Sequence, residues 1–243
     1  MKLSYDAVWQ DVMRLLRAHA DMIFVLTGVF IFLPWLAQAL YFPPPAMVRF
    51  DAASLQTYLT YLQDNFPAIL AQRLMGLLGT GAILTLLICA DRPTVGDAIK
   101  RAGRLLPSLL MIDILVQTLW TLGLLALIIP GLYLMGRTCV SQAAMMAEQI
   151  ANPLRATARS FALTNQIGWQ VFGFIAIIGV VTWIGTSAAM TVIGVVAKLL
   201  LPAAATTQIQ GVLAAASTSL ISIVAILVPA ALYRQLSTRN SGT

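Results

Sequence analysis

Four ionisable side chains stand inside long apolar stretches of this sequence: Arg73, Asp113, Arg137 and Glu148. Charge held among apolar residues is costly, so each needs a partner or a path to water, and each is a candidate for a site. Arg73 comes six residues after Pro67, Arg137 seven after Pro130, and Gln208 six after Pro202. A guanidinium that deep in a helix, about 9 Å at 1.5 Å per residue, suits a lipid phosphate or an anionic solute. The plainer expectation is that each arginine reaches outward to headgroups along its apolar stem. Asp113 is expected to face a bundle interior or to be protonated, with Arg137, Ser141 and Gln142 as candidate partners. Arg73, Asp113, Arg137 and Gln208 together make the candidate polar site. Glu148 ends an apolar run just before a basic segment, and pairing with Arg155 or Arg159 makes it the anchor of an elbow.

Nothing else in the chain has the spacing of a catalytic or metal centre. His19 is the one histidine, at the end of the first amphipathic segment beside Asp21, where it reads as an interfacial residue. Cys89 and Cys139 fall in apolar helices and read as packing residues, without the spacing of a zinc site or a disulfide framework. No nucleophile–base pair is visible. The expectation is a protein that is not an enzyme, with no catalytic residue, cofactor or metal.

Composition says what must hold these residues. Of 243 residues, 59% are hydrophobic and 10% are charged, with a mean hydropathy of +0.86. Soluble domains carry about 25% charged residues, so lipid is the expected solvent here. A crossing needs about 20 apolar helical residues. Six stretches qualify: 22–40, 68–90, 105–129, 132–148, 169–190 (running on toward 201) and 208–232. The expected fold is all-α and polytopic, six transmembrane helices in three hairpins, each hairpin preceded by a basic amphipathic interfacial helix. Pro34 is expected to kink the first crossing, Pro67 to open the second, and Pro130-Gly131 to break the third from the fourth.

The interfacial helices have their own signals. Over residues 4–20, Tyr5, Val8, Trp9, Val12, Leu15 and Leu16 make one face, and Asp6, Gln10, Asp11, Arg14 and Arg17 the other. Ser4 is the expected cap, and the apolar face is expected to lie in lipid. Asp51 or Ser54 caps a short surface helix ending near Asn65. Thr94 caps a segment carrying Lys100, Arg101 and Arg104, and Pro153 opens another with Arg155 and Arg159. The acidic and basic residues of the first segment also argue against a cleavable signal.

Lys2, Arg14, Arg17, Arg92, Lys100, Arg101, Arg104, Arg155, Arg159, Arg234 and Arg239 fall on one side of the expected topology. Only Arg49 and Lys198 fall on the other. Basic loops stay in the cytoplasm, which places both termini there. The net charge of +6 is therefore read as contact with anionic lipids of the cytoplasmic leaflet and not with nucleic acid. The chain reads as one membrane domain, 1–243, built from repeat units 4–90, 94–148 and 152–236, with a short disordered tail, 237–243.

The run Ile129-Pro130-Gly131-Leu132-Tyr133 is followed by Arg137 and Glu148, and then by Asn152-Pro153-Leu154-Arg155-Ala156, Arg159-Ser160 and Leu163-Thr164. These residues resemble a family of bacterial six-helix inner-membrane proteins similar to the membrane domain of some glycerophosphodiester phosphodiesterases. The resemblance implies a multi-pass protein of the bacterial inner membrane. It does not bring phosphodiesterase activity, because the enzyme domain is not in this sequence. Two functions remain. One is a non-enzymatic scaffold or accessory subunit that organises lipids, a protein partner or a homo-oligomer. The other is a small transporter or lipid translocase using Arg73, Arg137 and Asp113.

Overall fold

The computed structural model of the chain describes residues 4–45, 51–89, 91, 93–126, 128–165, 167–200 and 202–240. Lys2, Arg49, Arg92 and the side chain of Arg239, all used above for orientation, lie outside what is described. Among the described residues every regular element is helical: α1 (Tyr5–Thr27), a π-helical turn (Gly28–Phe32), α2 (Leu33–Tyr41), α3 (Ala52–Asp64) and α4 (Phe66–Ile88) come first. Then follow α5 (Val95–Ala126), α6 (Ile128–Thr138), α7 (Ser141–Glu148), α8 (Pro153–Leu163), α9 (Gly168–Leu200) and α10 (Ala203–Asn240).

Local chemistry sets most starts. Ser4 Oγ accepts from the N–H of Ala7, and Asp51 Oδ1 accepts from the N–H of Ser54 at 2.8 Å. Thr94 Oγ1 accepts from the N–H of Asp97, while Asn152 Oδ1 accepts from Leu154 and Arg155. Each satisfies an orphan donor of a first turn. The backbone hydrogen bond from Ser54 also holds the Asp51 carboxyl below its ordinary range. Pro67 and Pro153 sit in first turns, where a missing N–H loses nothing. Pro34 acts otherwise. Its ring cannot fit a regular turn, and the π-helical turn over Gly28–Phe32 absorbs the misfit without ending the helix.

Five helices are long and apolar enough to cross a membrane: Tyr5–Tyr41, Phe66–Ile88, Val95–Leu125, Gly168–Leu200 and Gln208–Thr238. They pack with small residues. Ala82, Ala98, Ala102, Ala143, Ala144, Ala156, Ala230 and Ala231 are wholly buried. Lipid tails are as apolar as leucine, so association inside a membrane depends on such close backbone approach. α4 and α5 run antiparallel: Leu78 meets Gly103, and Gly81 meets Ala102 and Leu109. α10 runs antiparallel to the first long helix, with Asp11 bonded to Gln235 at one end and Ala39 against Gly211 at the other. α9 turns the opposite way: Val180, Val181, Trp183, Ile184, Val192, Leu199 and Leu200 are all exposed apolar surface.

Several expectations need correction. The apolar stripe of residues 4–20 does not lie wholly outward. Val8, Val12 and Leu15 are buried in the core, and only Tyr5 and Trp9 of the stripe are exposed. Likewise Ala98, Ala102, Ala156 and Leu163 turn into the bundle. The first and second basic segments are not separate helices either. Residues 4–20 continue into the first apolar run across a kink at His19, and α5 joins the Lys100–Arg104 region to the apolar run through Pro107. His19 Nδ1 lies 3.3 Å from the Leu15 carbonyl at that kink.

α6 starts at Ile128, which places Pro130 and Gly131 inside its first turn and not at the break. The fourth apolar run is two short helices parted at Cys139–Val140. α9 is unbroken through Gly194, and α10 runs into the expected tail as far as Asn240.

Candidate functional site

The break between α6 and α7 opens onto a cavity of ≈ 380 Å³. Its walls come from several long helices. α4 supplies Thr80 and Leu84. α5 supplies Asp113, Val116, Gln117 and Trp120. α9 supplies Ile175, Ile178, Thr182 and Trp183, and α10 Ile221, Val224 and Val228. Thr138, Cys139, Ser141 and Gln142 line it from the break itself. Most of the wall is apolar. The polar groups gather on the α5 side and at the break, where Asp113 and Gln117 share a helix face at a spacing of four.

Two features mark that polar edge. Trp120 donates from Nε1 to Thr138 Oγ1 at 2.7 Å, and Thr138 donates to the Leu134 carbonyl. Ser141 is 1% exposed, and its Oγ has no hydrogen-bond partner among the described residues. A buried hydroxyl left unpaired costs on the order of 1–3 kcal/mol, so this position favours a ligand group that can meet it.

Asp113 takes its charge partner from α4 and not from α6 or α7. Arg73 Nε donates to Oδ2 at 2.9 Å, and Arg73 Nη2 donates to Oδ1 at 2.7 Å and Oδ2 at 2.6 Å. The carboxylate side chain is 13% exposed and the guanidinium 49%. This two-point geometry fixes orientation as well as charge. Arg137 takes no part in it. Its guanidinium lies over the rings of Phe161 and Tyr133, 5.0 and 5.7 Å from their centroids, and its stem packs under Gly168. Gln208 is exposed near the start of α10.

The elbow residues are close together. Arg159 Nε donates to Glu148 Oε1 at 2.7 Å, and the Tyr233 hydroxyl donates to the same oxygen at 2.9 Å. Gln149 ends α7 in the left-handed region, φ 51° and ψ 40°, which turns the chain into α8. Arg155 is exposed and does not share that carboxylate. Among the cations expected at the interface, Arg14 pairs with Asp11 at 3.2 Å and Arg101 pairs with Asp91. Arg101 holds the Asp91 carboxyl below its ordinary range. Arg17, Lys100 and Arg104 are exposed.

Sequence reasoning missed Gln117, Thr138 and the α9–α10 walls. A signal for the first two exists, since each is a polar residue in an apolar run. Among the described residues no cluster of three or more His, Cys, Asp or Glu could hold a metal ion. No family model, curated protein or solved structure matches this chain.

Proposed function

We propose that this is an integral protein of a bacterial inner membrane that takes a small amphiphile, such as a lipid or part of one, into its helix bundle and helps it move between leaflets. The single observation behind this reading is the α6–α7 break, whose unwound turn and unpaired Ser141 line the cavity. Interrupted helices at mid-bundle are where membrane carriers form binding sites, because irregular backbone is tolerated only where it lines a cavity. The volume falls in the range of about 300–1,000 Å³ usual for small-molecule sites.

In this reading α6 and α7 together form a sixth, discontinuous crossing of about 30 Å at 1.5 Å per residue. Both termini are cytoplasmic, and Arg17, Lys100, Arg104 and Arg155 meet anionic headgroups there. A second reading keeps the protein as a non-enzymatic scaffold or accessory subunit. The closed Arg73–Asp113 pair favours it, since two groups that already neutralise each other need no ligand.

Native mass spectrometry of the protein released from its own membrane separates the two. The carrier reading expects an amphiphile at fixed ratio in the wild-type chain and its loss in Ala225→Phe, which fills the cavity from α10. A wild-type chain without a bound amphiphile, or the same mass retained in Ala225→Phe, overturns it. A retained protein subunit in place of the amphiphile establishes the accessory reading.

A further inference from the structure

Arg137 is held in an environment that its own chain does not complete. Arg137 is half-buried as a residue, and its buried Nε and Nη1 have no hydrogen-bond acceptor among the described residues. No acidic side chain forms an ion pair with it among the described residues. Its neighbours are two aromatic faces, Phe161 from α8 and Tyr133 from its own helix, and the backbone of Gly168 at the start of α9. Guanidinium groups keep their charge in proteins. Attraction to ring faces offsets only part of what is lost when such a charge leaves water without a counter-charge.

Other arginines show what a completed environment looks like in this fold. Arg73, Arg101 and Arg159 each hold a carboxylate. The hydroxyls of Ser160 and Thr164 approach Arg137 too, at 2.7 and 3.3 Å, but they donate to its backbone carbonyl and leave the guanidinium alone. Beside the side chain lies a second cavity, bounded by Ile129, Pro130, Tyr133, Gly168 and Trp169. Two of those residues, Tyr133 and Gly168, touch Arg137 directly.

We propose that Arg137 is the anchor of an anion site for a phosphate-type oxyanion, reached through the cavity between α6 and the start of α9. Phosphate matches the planar donor set of a guanidinium, and the aromatic rings hold the plane in place. The headgroup of an anionic phospholipid and free phosphate share this chemistry. The site is separate from the α6–α7 cavity and does not depend on what that cavity holds.

The test is the thermal unfolding midpoint of the full chain in detergent. The added probes are inorganic phosphate, dioleoyl phosphatidylglycerol and dioleoyl phosphatidylcholine. Phosphatidylglycerol is expected to raise the wild-type midpoint by about 5 °C near saturation, with phosphatidylcholine leaving it unchanged. A matching rise with inorganic phosphate assigns the site to free anions, and a rise with phosphatidylglycerol alone assigns it to lipid headgroups. Arg137→Met removes the rise and, without anion, melts no lower than wild type, because an unpaired charge is replaced by an apolar chain. Arg137→Lys keeps the charge, loses the planar donors, and weakens the apparent affinity about tenfold. No rise with phosphate or phosphatidylglycerol, or an equal rise in Arg137→Met, overturns the site. So does a marked fall in the anion-free midpoint of Arg137→Met, which makes the guanidinium a packing element.

Discussion

Arg73 and Arg137 stand at matching distances after a proline, yet the fold treats them in opposite ways. On α4 the helix is unbroken, and Arg73 meets a carboxylate across the α4–α5 contact with the Nε/Nη2 edge of its guanidinium. On α6 the helix lasts only from Ile128 to Thr138, and Arg137 is turned toward α8 and α9, where aromatic faces and backbone await it. The lesson is that register within a helix fixes depth but not company. Company depends on which helix lies alongside, and an early end to α6 changes that neighbour.

The sharpest way to break the comparison is to remove the carboxylate. Asp113→Asn takes the counter-charge from Arg73 and should lower stability in detergent by about 2 kcal/mol, less than for a fully buried pair because the Arg73 side chain is 49% exposed, read as a fall in the unfolding midpoint. Arg73→Leu combined with Asp113→Leu should recover most of that loss. A single variant as stable as wild type would show that the pair contributes nothing and that the contrast is one of geometry only.

The Arg137 side is next. A Cβ on Gly136 would overlap the Gly168 carbonyl, so Gly136→Ala forces α6 away from α9 at a cost of about 1–3 kcal/mol. Gly179 has nothing within 4 Å, and Gly179→Ala should be neutral or slightly stabilising. Equal midpoints for the two variants would mean that α6 and α9 do not approach closely. A smaller effect, about 1 kcal/mol, is expected for Glu148→Gln, because Arg159 and Glu148 are 38% and 30% exposed and water already screens them. Asp51 gives the smallest signal. Its carboxyl is shifted downward by the Ser54 N–H, so its capping of α3 is present above the usual carboxylate range and is lost as pH falls through the lowered value. A small loss of helical circular dichroism on that descent, missing in Asp51→Ala, checks it.

What could be read from the sequence was local. Caps at Ser4, Asp51 and Thr94 and the first-turn position of Pro67 each depend on a few neighbouring residues, and each is where expected. The π-helical turn near Pro34 follows from the same kind of rule. The α6–α7 break does not. No proline or glycine stands at Cys139 or Val140, and the Arg137 carbonyl near the end of α6 is satisfied by hydroxyls 23 and 27 residues away. A long-range partner of that kind leaves no mark in nearby sequence. The Arg73–Asp113 pair was hidden for the same reason: both residues were visible as costly, but nothing local said that α4 would lie against α5. The buried face of α1 was misjudged because an amphipathic stripe looks the same whether lipid or a neighbouring helix covers it.

The contact between α1 and α10 has a further consequence. Asp11 and Gln235 are 224 residues apart, and Val8, Val12 and Leu15 share one core with Leu227, Leu232 and Leu236. During synthesis the first of these groups emerges long before the second. α4 also packs on α1, but the rest of α1's inward face stays uncovered until α10 has left the ribosome and entered the same assembly. The interval makes closure of the bundle one of the last events in biogenesis.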